Sequence, residues 1–170
     1  RGGLVARLSR STYLYFGREH TRSFAEFRLL QYMKLRGLPV PAPIAATIWR
    51  TGALGYQAAI LVERLHGTRS LGSIIASLDI EMWGVVGRTI RDFHQAGVCH
   101  ADLNCLNILV SGNRVYLIDF DKGNLRKNSF RWQHQNLQRL RRSLEKLAWP
   151  TGAVSLEQAW ARLLQGYRLE

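Results

Sequence analysis

Residues 100–121 restrict the fold of this chain more than any other stretch. They run His100-Ala101-Asp102-Leu103-Asn104-Cys105-Leu106-Asn107-Ile108-Leu109-Val110, then Ser111-Gly112-Asn113, then Val115-Tyr116-Leu117-Ile118 and Asp119-Phe120-Asp121. Two short apolar β-type runs separated by Ser-Gly-Asn predict a hairpin. Polar residues bracket it at fixed spacing. His100, Asp102 and, five residues later, Asn107 precede the first run; Asp119 directly follows the second. An ordinary hairpin uses Asp and Asn only as caps and turn formers. This set also contains what phosphoryl transfer from ATP requires. Asp102 can orient and deprotonate an attacking hydroxyl, and Asn107 and Asp119 supply a neutral oxygen and a carboxylate for Mg²⁺ on the phosphates. The agreement of motif and predicted context favours the chemical reading.

H-x-D-x-x-x-x-N followed by Asp-Phe is the spacing of the protein-kinase signature set, and the chain resembles the protein-kinase-like superfamily. Within it, the chain resembles the bacterial lipopolysaccharide kinase family, and most of all its members acting on 3-deoxy-D-manno-octulosonic acid (Kdo). The residues that carry this likeness are Arg1–Leu8, Thr21–Leu30, His100–Asn104, Asp119–Gly123, Trp132-Gln133 and Asn136–Leu144. The likeness itself runs over nearly the whole chain, from its first residues to the 136–144 stretch and beyond.

The resemblance implies an α+β, protein-kinase-like fold of one domain. Residues 1–62 would form part of a small sheet lobe and 63–170 a mainly helical catalytic lobe. It implies that Asp102 acts on the hydroxyl, that Asn107 and Asp119 hold Mg²⁺, and that His100 supports the loop rather than acting as the base. Glu26, with Glu19 second, would pair with a phosphate-holding lysine. Glu63, within Leu61–Leu65, would mark the hinge that presents backbone groups to adenine. An exposed helix Glu and a buried strand ending in a charge remain the plainer readings of Glu26 and Glu63. The lysine and a Gly-rich phosphate loop are expected before Arg1, so the small lobe would be N-terminally truncated.

Two departures from the protein-kinase pattern narrow the acceptor. Ala101 stands where many protein kinases have Arg, and no A-P-E segment follows Asp119-Phe120-Asp121. Both point to a small-molecule or lipid-linked acceptor. Asp121 replaces the Gly of D-F-G; it could assist a metal, hold Lys122, or be a solvated turn residue.

Composition supports a globular chain with an anionic partner. Of 170 residues, 46% are hydrophobic and 21% charged, with a formal net charge of +12. That balance excludes a disordered chain and suggests nucleotide, nucleic acid or an acidic membrane surface as partner. No nucleic-acid motif accompanies the charge, so no nucleic-acid partner is expected. The sequence shows no transmembrane run and no signal peptide. Cys99 and Cys105 are too few for a disulfide framework and fit a reducing compartment. With His94 and His100 they match no zinc-ligand spacing.

Along the chain, Arg1–Phe16 reads as a basic loop and short approach segment. It is either solvated or a patch for acidic lipid or sugar phosphate, built on Arg1, Arg7, Arg10 and Arg18. Thr21–Arg36 reads as a helix capped by Thr21 or Ser23, with Phe24, Phe27, Leu30 and Leu35 inward and Gly37 as its end. Pro39–Ile48 is extended, Tyr56–Val62 a strand and Ser70–Leu78 a short helix. Asp79–Ala96 is an amphipathic helix with Asp79 as N-cap and Met82, Val85, Val86, Ile90 and Phe93 inward; on it, His94 reads as packed or exposed rather than a ligand. Lys122–Arg131 is basic and should border the acceptor. Trp132–Leu147 is helical with Leu137, Leu140, Leu144 and Leu147 inward and Arg139, Arg141 and Arg142 available for phosphate or lipid. Ser155–Tyr167 is a last helix with Ser155 as N-cap.

The expected function is ATP-dependent phosphorylation of a sugar hydroxyl. By resemblance, the acceptor is Kdo of a lipid A precursor, an acidic glycolipid, met at the anionic cytoplasmic face of the bacterial inner membrane. A heptose or other small-molecule kinase is the nearest alternative, and a non-catalytic kinase-like binding module a more distant one. The intact set Asp102, Asn107 and Asp119 counts against the latter. An antibiotic kinase would need an acidic cleft for a cationic drug, opposite to this charge.

Overall fold

Residues 55–63 alternate in burial with a period of two, which obliges the strand they form to cover one face. The computed structural model describes residues 4–14, 21–52, 55–149 and 154–168. They divide into two compact units: Arg1–His66 with Phe120–Gly123, and Gly67–Asp119 with Asn124–Glu170.

In the first unit, β1 (Leu4–Leu14), β2 (Pro43–Thr51) and β3 (Gly55–Glu63) form an antiparallel sheet in the order β1-β3-β2. Leu4 pairs with Glu63 and Thr51 with Gly55. The central strand buries Tyr56, Ala58, Ile60 and Val62. The strand at 4–14 corrects the expectation of a basic loop there. Arg7 and Arg10 interrupt the apolar alternation that would have signalled it. Pairing with the central strand supplies hydrogen bonds that composition cannot reveal. Arg1, Arg18 and Glu19 lie outside the described residues, and so do the side chains of Arg7 and Arg10.

Helix α1 (Arg22–Leu35) ends at Gly37, whose φ of +71° only glycine adopts without cost. Its buried face is Ser23, Glu26, Leu29, Leu30 and Met33. The expected inward set is therefore rotated. Leu35 is 88% exposed, and Phe24 and Phe27 are half-buried. Thr21 occupies the N-cap, its side chain making no capping bond to the helix, while Ser23 Oγ donates to the Thr47 carbonyl and ties the helix to β2.

In the second unit, β4 (Arg69–Ser70), β6 (Ile108–Ser111) and β7 (Arg114–Leu117) form one small sheet, and β5 (Val98–Cys99) pairs with β8 (Asn124–Leu125). Three long helices accompany them: α3 (Ile80–Gln95), α4 (Phe130–Glu145) and α5 (Leu156–Arg168). The helix expected over 70–78 is one turn only, α2 (Leu71–Ile74). Asp79 caps α3 by accepting from the Glu81 amide at 2.7 Å. Ser155 and Gln158 exchange bonds at the start of α5, a capping box.

Helices α3 and α5 cross through glycines. A Cβ on Gly87 would collide with the Leu163 carbonyl, and one on Gly166 with the Gly84 carbonyl. Bare backbone on both sides allows that approach. It seals Trp83, Val86, Ile90 and Leu163, each wholly buried. Beside this crossing, His94 is 2% exposed, its Nδ1 2.8 Å from the Tyr167 hydroxyl and its ring edge-on to Trp132. Burial pushes its pKa down to about 4, against a smaller opposing effect from the Asn136 side chain.

Two outcomes follow from this packing. Gly87→Ala or Gly166→Ala forces the helices apart and costs about 1–3 kcal/mol or more of stability, read from denaturant unfolding. His94 is neutral when folded and has an ordinary pKa near 6.5 when unfolded. Its contribution is therefore complete above pH 6.5 and declines as pH falls toward 4. The loss totals about 3 kcal/mol at most and is absent from His94→Phe, as unfolding midpoints across that range will show.

Candidate active site

The hairpin of β6 and β7 turns at Gly112-Asn113, pairing Ser111 with Arg114 and Ile108 with Leu117. It carries Asn107 at its start and Asp119 just past its end. The loop before it, 100–107, is anchored by the buried side chains of Leu103 and Cys105 and shaped by hydrogen bonds. His100, 2% exposed, bridges the two strands of chain. Its Nδ1 accepts from the Asp102 amide at 3.1 Å, so Nε2 carries the proton and donates to the Ile118 carbonyl at 2.8 Å. Burial pushes the His100 pKa down, opposed by the Ile118 bond and the nearby charges of Asp119 and Asp102. A neutral, fixed ring with both nitrogens engaged is placed to support the loop.

Asn107 Nδ2 donates to the Asp102 carbonyl at 3.0 Å, and the Ile118 amide donates to the Asn107 carbonyl at 3.0 Å. The first bond fixes which way the Asn107 amide faces and leaves Oδ1 as its acceptor end. Asp102 thus has its backbone locked at both ends, while its side chain stays 60% exposed. Asp119 has φ +68°, the one described non-glycine residue in the left-handed region. Such a backbone costs of order 1–3 kcal/mol and gathers at functional sites.

Sequence reasoning assigned no role to Asn104 or Ser143 and offered Arg139 only for phosphate or lipid; all three meet this loop. Asn104 Oδ1 accepts from the amides of Leu106 (2.9 Å) and Asn107 (3.2 Å), and its Nδ2 donates to Asp102 Oδ2 at 3.1 Å. The side-chain turn that Asn forms two residues ahead was the available signal. Ser143 Oγ on α4 accepts from the Cys105 amide at 3.0 Å, and Arg139 Nη1 lies 3.5 Å from Asp102 Oδ1. Both come from a distant helix and left no local trace.

The structure brings His100, Asp102, Asn107 and Asp119 together in the second unit. Glu26 and Glu63 belong to the first. Glu26 is 6% exposed on the inner face of α1, so it is not the exposed helix Glu of the plainer reading. Glu63 ends β3, where its carboxylate accepts from the Ala42 amide (3.1 Å) and its amide donates to the Ala42 carbonyl (2.8 Å). Asp121 lies 3.5 Å from Arg22, which gives this carboxylate a cation other than Lys122. Among the described residues no three His, Cys, Asp or Glu side chains gather as a metal cluster. Asn107 with Asp119 suits Mg²⁺, which takes one or two protein oxygens and fills its shell with phosphate and water.

The sequence model of the Lipopolysaccharide kinase (Kdo/WaaP) family matches residues 1–167. A 3-deoxy-D-manno-octulosonic acid kinase of Stenotrophomonas maltophilia (strain K279a) is 47% identical over 170 residues, 98% of this chain and 68% of the relative. Its counterpart in Xanthomonas axonopodis pv. citri (strain 306) is 48% identical over 172 residues, 99% of this chain and 68% of the relative. Among solved structures, WaaP in complex with acyl carrier protein superposes with a TM-score of 0.66 at 19% identity, over 85% of this chain and 65% of that one. The amicoumacin kinase hAmiN, bound to AMP-PNP and Ca²⁺, gives 0.73 at 12% identity, over 97% of this chain and 65% of that one. These two establish the protein-kinase-like fold.

Asn104→Asp separates the two duties of that side chain. The turn acceptor survives, but a second carboxylate replaces the donor beside Asp102 and repels its charge. Phosphate transfer by Asn104→Asp therefore falls with the stability of the loop kept, while Asn104→Ala loses both, as kcat and the unfolding midpoint will show.

Proposed function

The chain belongs to the Lipopolysaccharide kinase (Kdo/WaaP) family and is a phosphotransferase acting on a sugar hydroxyl in lipopolysaccharide core biosynthesis; we propose that its acceptor is the Kdo residue of a lipid A precursor and its donor ATP with Mg²⁺. The observation that carries the mechanism is Asp102. Its backbone is fixed by His100 and Asn107, and its carboxylate stands open to solvent. A hydroxyl arriving there is oriented by the carboxylate, which takes its proton as the new oxygen–phosphorus bond forms and ADP leaves.

Asn107 Oδ1 and Asp119 would hold Mg²⁺, which when bound neutralises charge on the phosphates. The left-handed backbone at Asp119 sets the direction of its carboxylate at the end of β7. His100 is a positioning residue: protonation at Nδ1 would break its bond to the Asp102 amide, and its lowered pKa keeps that bond intact at neutral pH. Glu26 is the carboxylate for a phosphate-holding lysine on the nucleotide side. Glu63 fixes the exit of β3 toward the adenine-facing segment through its two bonds to Ala42.

The acceptor is a membrane glycolipid, and the charge of +12 suits an anionic bilayer. Residues 124–131 are all exposed and combine Arg126, Lys127 and Arg131 with Leu125 and Phe130. No described helix is long and apolar enough to cross a membrane. The exposed basic and apolar side chains of 124–131 support peripheral attachment at the cytoplasmic face of the inner membrane.

The test is transfer of labelled phosphate from ATP and Mg²⁺ to Kdo–lipid A by the full-length protein. Asp102→Ala should lower kcat by about 10²–10⁴-fold with nucleotide affinity retained. Transfer to heptose-bearing lipopolysaccharide in place of Kdo–lipid A would replace the acceptor. Undiminished transfer by Asp102→Ala would remove the role given to that carboxylate.

A further inference from the structure

A cavity of about 440 Å³ opens beside the catalytic loop, within the second unit, and it is lined by cations. Arg126 enters from the segment after β8, and Arg139 and Arg142 from one face of α4, three residues apart. Ala101, next to the reactive Asp102, forms part of its wall, and Gln138 adds an amide. Among the described residues, no Asp or Glu lines it.

Three guanidiniums around one hollow repel each other unless something anionic sits between them. Their surroundings show how little neutralises them. On the same helix Arg141 is held by Glu145 at 3.0 Å and Glu157 at 2.9 Å. Arg142 has no such partner among the described residues. Arg139 reaches only Asp102, the residue assigned to the reaction. Arg126 is held by neutral groups: its Nε donates to Asn124 Oδ1 at 2.9 Å and its amide to the Gly97 carbonyl at 2.8 Å. Gly97 has φ +74°, and a Cβ there would press against the Arg126 carbonyl at 2.8 Å. The backbone of Arg126 is thus set in place before any ligand arrives, which favours binding by lowering the ordering cost.

Resting on the sugar-kinase reading above, we propose that this cavity is the anion subsite for the acceptor. Arg126 and Arg142 grip an oxyanion of the glycolipid, and Arg139 spans from that oxyanion to Asp102. The anion is then the handle that sets the reacting hydroxyl at the Asp102 carboxylate. Two groups of a Kdo–lipid A acceptor carry this chemistry, the carboxylate of the sugar acid and the phosphates of the lipid. Guanidinium forks match either one in bidentate fashion.

The experiment is steady-state kinetics of the full-length protein with Kdo–lipid A at saturating ATP. Arg142→Ala should raise the acceptor KM by about 10- to 100-fold, the worth of a charge-assisted hydrogen bond, with the ATP KM unchanged. Arg142→Lys should recover part of the loss. Arg162→Ala, on α5, tied to Glu81 and outside the cavity, should leave the acceptor KM where it was. An acceptor with its sugar carboxyl reduced to the alcohol, and another with lipid phosphates removed, identify the handle. The one that abolishes the Arg142 effect carried the anion. Unchanged acceptor KM in both Arg126→Ala and Arg142→Ala, with the wild type active, would overturn the subsite. Should the wild type transfer nothing, titration of Kdo against the fluorescence of Trp132, which lines the cavity, decides separately. Saturable binding weakened by Arg142→Ala sustains the subsite while the kinase reading fails; no binding sinks both.

Discussion

The imidazole of His100 is the contact on which the rest of the site depends. One nitrogen accepts from the Asp102 amide and the other donates to the Ile118 carbonyl, one residue before Asp119. A single buried ring therefore ties Asp102 to the chain that delivers Asp119. Both bonds need the neutral ring in one tautomer. Burial supplies that, since it disfavours the charged form more than the neighbouring carboxylates favour it. Positioning and protonation state thus have one cause.

A second set of restraints comes from α4. Ser143 receives the Cys105 amide, and Arg139 approaches Asp102. The loop is consequently fastened to a helix as well as to its own hairpin. A loop fixed from two sides can leave its central carboxylate exposed and still keep it aimed. Preorganisation of that kind is what general-base work asks of a scaffold. The strained Asp119 backbone has the same logic, because a cost of a few kcal/mol persists only where surrounding bonds determine the conformation.

Much of this was readable from residue order, and the reasons are local. The hairpin of 108–117 announced itself through β-branched runs and a Gly-Asn turn. The caps at Asp79 and Ser155 and the terminator Gly37 act within a few residues of themselves. The family likeness rested on motifs equally compact. What escaped depended on distant partners. The strand at 4–14 exists through its pairing with 55–63, and its arginines hid the pattern. On α1, Leu29 and Met33 replace Phe24 and Leu35 on the buried side, a rotation set by the sheet against which the helix packs. Trp83 and the glycines at 84, 87 and 166 look unremarkable in sequence, yet they govern how α3 meets α5. Ser143 and Arg139 reach the catalytic loop from 37 or more residues away.

The distribution of charge says more than its total. A net charge of +12 by itself suits nucleotide, membrane or nucleic acid alike. The structure sorts the cations by their neighbours. Arg141 and Arg162 are tied to Glu145, Glu157 and Glu81 on the helix surfaces, where exposed pairs contribute little stability. Among the described residues, those around the cavity have no carboxylate partner other than Asp102. An uncompensated cluster destabilises the free protein slightly, and that cost is returned when an anion enters. For the subsite proposed above, the return is largest if the anion also draws on Arg139, because Asp102 is then less occupied by its guanidinium neighbour. Binding energy from a remote, non-reacting part of a substrate can in that way raise kcat as well as affinity.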